Sequence, residues 1–454
     1  MPRWRWLMAQ LTRRLWVRAT LIGLTGVLAA VLAAGVDRYL PWQMPGTIST
    51  DALDSILTVI ASSMLTVTTF SLSITVSAYG SATSNVTPRA TTLLIEDGLT
   101  QTVLSTFLGS FLFGIVGLVV SKTGAYGEQG RAILFVVTIA VIALIVVTLL
   151  RWINHLTRLG RVGETTDRVE AAARKAIEVR LREPYLGGRP LREGAVPEGA
   201  VPVSLEAIGY VQHIDMPALS ALCEAAGTEA FVRAVPGAFA YPDAPVAWIG
   251  RAQAETDPAA LAKAVARTFT VGNERSFDQD PRFGLAVLSE IGSRALSPAT
   301  NDPGTAIDVI GRSIRLLSLW ARQSAAAPER EPTYPRIHVP PLTAADLLED
   351  AVMLMARDGA GLIEVQLRIQ KGLSALGRIG DPAFRAAARH QSRMALDRAE
   401  TALALEADKE RLRALTRTFG QDAAAIDTPS APPAARTILV EHAPPLGGRP
   451  RDLA

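Results

Sequence analysis

Four long uncharged runs fill the first third of the chain: 19–36, 55–80, 99–121 and 132–150. Each approaches or exceeds the roughly 20 residues that an α-helix needs to cross a ~30 Å hydrocarbon core. One such run is compatible with a buried soluble helix, but four in succession are not. Beyond residue 151 the pattern turns polar and amphipathic. The chain therefore reads as an α-helical membrane protein with four transmembrane helices within 1–160, followed by a cytoplasmic α+β region.

The second run differs from the others. No charged residue lies between Asp54 and Arg89, yet the stretch is crowded with hydroxyls. Thr58, Ser62, Thr66, Thr69, Ser73 and Ser77 recur at helical spacing. A helix that only sat in lipid would be mostly Leu, Ile, Val and Phe. A hydroxyl face needs other helices, water, or its own i−4 carbonyls as partners. Two readings stay open: a hydrogen-bonded packing seam, or a hydrated path lined by this helix. Small residues recur along other faces, with Gly23, Gly26, Ala30 and Ala34 in the first span and Thr106, Ser110, Gly114 and Gly117 in the third. They allow backbones to approach closely, within one protomer or between protomers.

The flanks set the expected orientation. Arg3, Arg5, Arg13, Arg14 and Arg18 precede the first span, and Arg151, Arg158 and Arg161 follow the fourth. Arginines favour the cytoplasmic side, which puts both termini in the cytoplasm of a bacterial inner membrane. Trp4, Trp6, Trp16 and Trp152 are expected as interfacial anchors on the inner side, with Tyr39 and Trp42 on the outer side.

The remainder divides by composition. Residues 161–200 read as a charged helix and a Pro/Gly-rich linker. Residues 201–250 alternate short strands with one short helix, a small β-rich module resembling a barrel-sandwich fold, and no exposed lysine turn is present to carry a lipoyl or biotinyl group. Residues 251–325 are helical, with Asp280-Pro281 and Asp302-Pro303 each pairing an N-cap with a proline at the first helical position. Residues 326–341 read as a linker, 342–420 as a helical bundle, and 421–454 as a disordered tail. Around the corner at 297–303, Arg275, Asp278, Asp280, Arg294, Asn301 and Asp302 are either two good caps with their neighbours or a polar site for a ligand or adjacent subunit.

Composition narrows the chemistry. A formal net charge of +3 across 454 residues gives no general pull towards nucleic acid. Cys223 is the only cysteine, and the five histidines are scattered without ligand spacing. No metal, no other cofactor and no catalytic centre is expected from this pattern. The spans hold no internal charge, which disfavours a proton relay or a charge-coupled pump.

Two stretches resemble a family of predicted bacterial integral membrane proteins, DUF2254. One is Ser63-Met-Leu-Thr-Val with Phe70-Ser-Leu-Ser-Ile-Thr-Val76, running on to Thr87-Pro-Arg89 and Thr106-Phe-Leu-Gly109. The other is Asp278-Gln-Asp-Pro-Arg-Phe-Gly284 through Arg294-Ala-Leu-Ser-Pro298 to Asn301-Asp-Pro303 and Thr305-Ala306. The resemblance implies an inner-membrane protein with a cytoplasmic region and no assigned reaction. The expected function is an oligomeric channel or passive pore for ions or small solutes, in contact with the bilayer and with copies of itself. The alternative is a membrane-anchored scaffold or sensor whose cytoplasmic region binds a ligand or partner.

Overall fold

A computed structural model describes residues 2–12, 14–35, 49–124, 126–252, 257–326 and 331–427. Four of its helices are long and apolar enough to cross a membrane: α2 (Leu15–Gly35), α3 (Thr50–Asn85), α5 (Gly98–Lys122) and α6 (Glu128–Leu156). A short helix, α1 (Arg3–Thr12), precedes them, and α4 (Pro88–Ile95) sits between α3 and α5. Both short helices fall in stretches that hydropathy alone treats as flank and loop. The expected outer anchors Tyr39 and Trp42 lie outside the described residues.

The centre of the membrane part is α5, not the hydroxyl-rich α3. It packs extensively against both α2 and α3. The small residues explain how. A Cβ on Gly26 of α2 would stand 2.8 Å from the carbonyl oxygen of Gly109, and one on Gly114 would stand 3.1 Å from that of Leu57 on α3. Both glycines let backbones meet where any side chain would intrude. The small-residue stripes are thus used within one protomer.

Contacts at the helix ends fix the relative directions. At one end the Arg18 guanidinium donates to the carbonyl of Gly98 at 3.2 Å, and His155 meets Thr100 at 3.1 Å. At the other, Lys122 pairs with Asp54 at 2.7 Å, and the Tyr126 hydroxyl donates to the Ala30 carbonyl at 2.8 Å. The spans therefore alternate in direction, and α1 lies on the same side as everything from α7 (Val162–Arg182) onward. At 36 residues and ~1.5 Å rise, α3 is about 54 Å long. That exceeds the hydrocarbon core, so its last turns reach into the region beyond, where Thr83 meets Thr91 of α4 at 3.1 Å.

Two small sheets follow α7. One has five strands in the order β1-β8-β4-β6-β2, and the other three in the order β5-β3-β7. The strands are β1 (Arg189–Pro190), β2 (Val201–Val203), β3 (Gly209–Ile214), β4 (Ala230–Val232), β5 (Phe239–Ala240), β6 (Ala247–Ile249), β7 (Phe269–Gly272) and β8 (Ile337–Val339). They share one apolar core with α8 (Met216–Ala225) and α9 (Pro258–Ala266), built on residues such as Val211, Leu219, Val232, Ile249 and Ile337. Three strands come from stretches read differently in the sequence. β1 lies in the expected Pro/Gly-rich linker after α7, β7 in the expected helical module and β8 in the second expected linker, where it pairs in parallel with both β1 and β4.

The helices α10 (Pro281–Ala295), α11 (Pro303–Ala326), α12 (Ala344–Asp358), α13 (Ile363–Leu376) and α14 (Pro382–Ala402) bury a second core against α7. Val86 and Ala90, just past the end of α3 and on α4, belong to that core. The bundle is therefore continuous with the membrane helices. The last helix, α15 (Glu406–Asp427), keeps its helical backbone past residue 421, where the sequence predicts a structureless tail. Residues 428–454 lie outside the described part.

Candidate functional site

Three places carry polar chemistry that the fold has organised. The first is the outer face of α3. Thr58, Ser62, Thr66, Thr69, Ser73 and Ser77 are all exposed on the protomer. The face that α3 buries carries Leu53, Leu57, Ile60, Ala61, Met64, Ser71 and Thr75. At ~100° per residue the two faces are centred about 160° apart. The hydroxyl stripe thus points away from its own bundle. Four of the six donate to a carbonyl one turn back: Thr58 bonds that of Asp54 at 2.7 Å, Ser62 that of Thr58 at 2.9 Å, Thr66 that of Ser62 at 3.0 Å and Thr69 that of Leu65 at 3.1 Å. Exposed Val59, Leu65 and Phe70 flank the stripe.

The second place lies where α5, α6 and α7 meet, at the end of the membrane helices that faces the sheets and the helical bundle. Asp97 caps α5, accepting from the Thr100 amide at 2.8 Å and its hydroxyl at 2.6 Å. Its two oxygens also meet His155 at 3.0 Å and Arg168 at 2.8 Å. Burial alone would raise its pKa. The bonds from His155 and Thr100, with the Arg168 charge, outweigh that and hold it well below the usual carboxylate range. Nothing in the spacing of Asp97, His155 and Arg168 signals this node. The only local sign is an aspartate placed before a glycine and a threonine at the head of an apolar run.

The third place is the expected polar site, and the structure divides it. Asp280 caps α10 at its start, whereas Arg294, Asn301 and Asp302 lie at its far end. Fifteen residues of helix separate the two groups by roughly 20 Å. They form no single pocket.

The first half is a buried junction. Asp280, only 2% exposed, accepts from the Arg282 and Phe283 amides and from Arg275 at 2.7 Å. Burial pushes its pKa up, while the Arg275 bond and charge oppose that. Arg275 also lies 5.1 Å from the Phe283 ring centroid. Gln279 accepts from the Ile214 amide at 3.2 Å through its side chain and from Arg180 at 3.1 Å through its carbonyl. Arg282 grips Asp350 of α12 at 2.6 and 3.2 Å. Gly284 lets α10 close on Ala173 of α7, where a Cβ would overlap. The segment 278–284 therefore ties the sheets to the helical bundle.

Asp278 accepts the indole N–H of Trp6 at 3.0 Å. Trp6 is buried and stacks on His213 with ring centroids 5.2 Å apart. It docks α1 onto β3 and the segment before α10, buried where an interfacial anchor would be exposed. Trp152 is likewise buried, beside His155. Trp4 and Trp16 are the exposed members of that set.

The second half is an exposed corner. Asn301 has φ +48°, and Asp302 caps α11 through the Thr305 amide at 3.0 Å and hydroxyl at 2.6 Å. Arg294 is exposed beside it. Here the capping reading accounts for Asp302.

The family described as "Predicted membrane protein (DUF2254)" matches residues 12–375. An uncharacterized protein of Mycobacterium bovis and one of Mycobacterium tuberculosis are each 35% identical over 118 residues. That stretch is 25% of this chain and 22% of each relative, so the chain spans about a fifth of their length. No solved structure matches.

Proposed function

Since the chain belongs to the DUF2254 family of predicted membrane proteins, we propose that it is a homo-oligomeric passive pore for ions or small solutes, without catalytic activity. The observation that carries this reading is the direction of the α3 hydroxyls. All six sit on a spanning helix, and all six face outward from their own protomer. Copies arranged about a common axis would bring those faces together around a polar path. Back-bonding satisfies the donors of Thr58, Ser62, Thr66 and Thr69 but leaves their oxygens as acceptors, which suits a wet surface better than lipid. The extension of α3 into the helical bundle would pass a movement of the soluble region directly to the lining helix. The arginines flanking the first and fourth spans favour a cytoplasmic position for that region in a bacterial inner membrane.

A second reading has its own support. The same back-bonds allow α3 to face lipid at little cost, and the soluble region makes up most of the chain. The protein would then be a membrane-anchored scaffold or sensor. Purified protein in lipid vesicles separates the two, by ion and small-solute flux measured together with the subunit count. Flux from a symmetric oligomer supports the pore. A monomer without flux leaves the sensor.

A further inference from the structure

Arg180, in the last turn of α7, is a buried cation without an ion-pair partner. It is 6% exposed, and its guanidinium donates to a neutral acceptor, the Gln279 carbonyl, at 3.1 Å. Among the described residues no carboxylate comes within 4 Å of it. The nearest compensating charge is Asp280, which already pairs with Arg275. Burial lowers its pKa to about 10, so it remains cationic at neutral pH. A buried charge held this way is costly unless something pairs with it.

Arg180 lines an open cleft of about 510 Å³ between the helical bundle and the five-stranded sheet. That volume lies within the ~300–1,000 Å³ range of small-molecule sites, which favour such junctions. Arg182 and Arg189 stand on its rim against Glu183 and Glu331, which leaves the lining net positive. Tyr185 and Trp320, both half-buried, offer aromatic surface. The turn carrying Tyr185 is strained: Tyr185 and Leu186 have φ of 53° and 56°, which non-glycine residues rarely adopt. Strain of this kind gathers at ligand clamps. A second cleft of similar size, about 520 Å³, lies beside α4. Its two arginines, Arg89 and Arg275, are already paired with Glu290 and Asp280. Of the two large clefts, the one lined by Arg180 is the one with a buried arginine that has no carboxylate partner among the described residues.

We propose that the Arg180 cleft binds a small phosphorylated aromatic ligand of the nucleoside monophosphate class, with its phosphate at Arg180 and its ring against Tyr185 and Trp320. The chemistry follows from the lining. A phosphate takes charge-assisted bonds from guanidinium groups, and a flat base stacks on aromatic faces. This inference is independent of the pore reading, because it concerns only the soluble region.

The test is calorimetric titration of the full chain in lipid nanodiscs with AMP, GMP, CMP, UMP, inorganic phosphate and adenosine. At least one nucleotide should bind at one site per protomer. Inorganic phosphate and adenosine should each bind at least about tenfold more weakly. Arg180→Gln should weaken the nucleotide by at least about tenfold. Trp320→Leu, at a half-buried position, gives a second measure should Arg180→Gln fail to fold, and it too should weaken binding. The proposal is overturned if no nucleotide binds at millimolar concentration, if phosphate binds as tightly as the nucleotides, or if the folded variants bind like the parent.

Discussion

Trp6 donates its indole N–H to Asp278 across 272 positions of sequence, at 3.0 Å. With the Arg3 amide donating to Asp215 at 2.6 Å and the stack on His213, this bond holds α1 against β3 and the segment before α10. The chain before the first span is thus a structural arm.

Trp6→Ala should release that arm. Losing a buried aromatic costs about 3–5 kcal/mol. At the low end, amide exchange in residues 3–12 should speed up on the order of a hundredfold, as local opening becomes easier. The spans should be unaffected. Unchanged exchange in α1 would mean that Trp6 does not hold it.

How far the fold was legible depended on range. The four spans were plain because membrane crossing leaves a local signal, a long uncharged run. Asp280-Pro281 was equally plain, because an N-cap with proline acts within one turn. The fate of Trp6 was hidden, since an arginine-flanked tryptophan next to a span looks like an interfacial anchor until its distant partner is known. β8 was hidden for a similar reason: three residues in a proline-rich stretch become a strand only because β1 and β4 supply both edges. The residues named around the two Asp-Pro caps do not come together in one group. Asp280 and Asp302 are close in sequence, but the helix between them keeps them apart.

The two Asp-Pro caps provide a comparison. Asp302→Ala removes an exposed cap and should cost about 1 kcal/mol. Asp280→Ala removes a buried cap and strands Arg275, so it should cost roughly 3–5 kcal/mol, the range for a broken buried pair. Chemical denaturation of both variants measures the difference. Equal losses would show that the Asp280–Arg275 pair adds nothing beyond capping.

Asp97 predicts a pH dependence. Its folded pKa is depressed, so its contribution is fully present above the unfolded value of about 3.9 and is lost as pH falls through the folded value. Asp97→Asn should therefore destabilise the protein most near neutral pH, by about 3 kcal/mol, the low end for buried pairs. The gap between variant and parent should narrow below about pH 4. Thermal unfolding in detergent from neutral pH downwards checks this. A constant gap across that range would rule out the ion pair as the source.

Gly26 and Gly109 set the approach of α2 to α5, where a Cβ on Gly26 would stand 2.8 Å from a carbonyl oxygen. Gly26→Val should force the helices apart, at a cost of about 1–3 kcal/mol for overpacking. Gly80, with open space around its Cβ position, is the control on α3, and Gly80→Ala should be tolerated. Thermal stability in detergent separates them. Equal effects at both sites would show that the close contact is not what stabilises the bundle.

The α3 stripe decides between pore and sensor. Cysteines at Ser62, Thr66, Thr69 and Ser73 test its environment, because the thiolate is the reactive species and ionisation needs water. The native Cys223 is a quiet background: it is buried, and burial pushes its thiol up to about 11. Cysteines at Leu57 and Met64, on the face against α5, should stay unreactive whatever the assembly. Leu72 is a poor control despite its apolar character, because it is exposed. In a water-filled path the four stripe positions should react with a small polar thiol reagent in vesicles. Ser73→Leu should then reduce flux while leaving the oligomer intact. In a dry seam between copies the same change should overpack the contact, at about 1–3 kcal/mol, and shift the protein towards monomer. If the stripe faces lipid, neither flux nor assembly changes and all four cysteines stay silent. That last outcome would remove the basis for a pore and leave the soluble region as the seat of function.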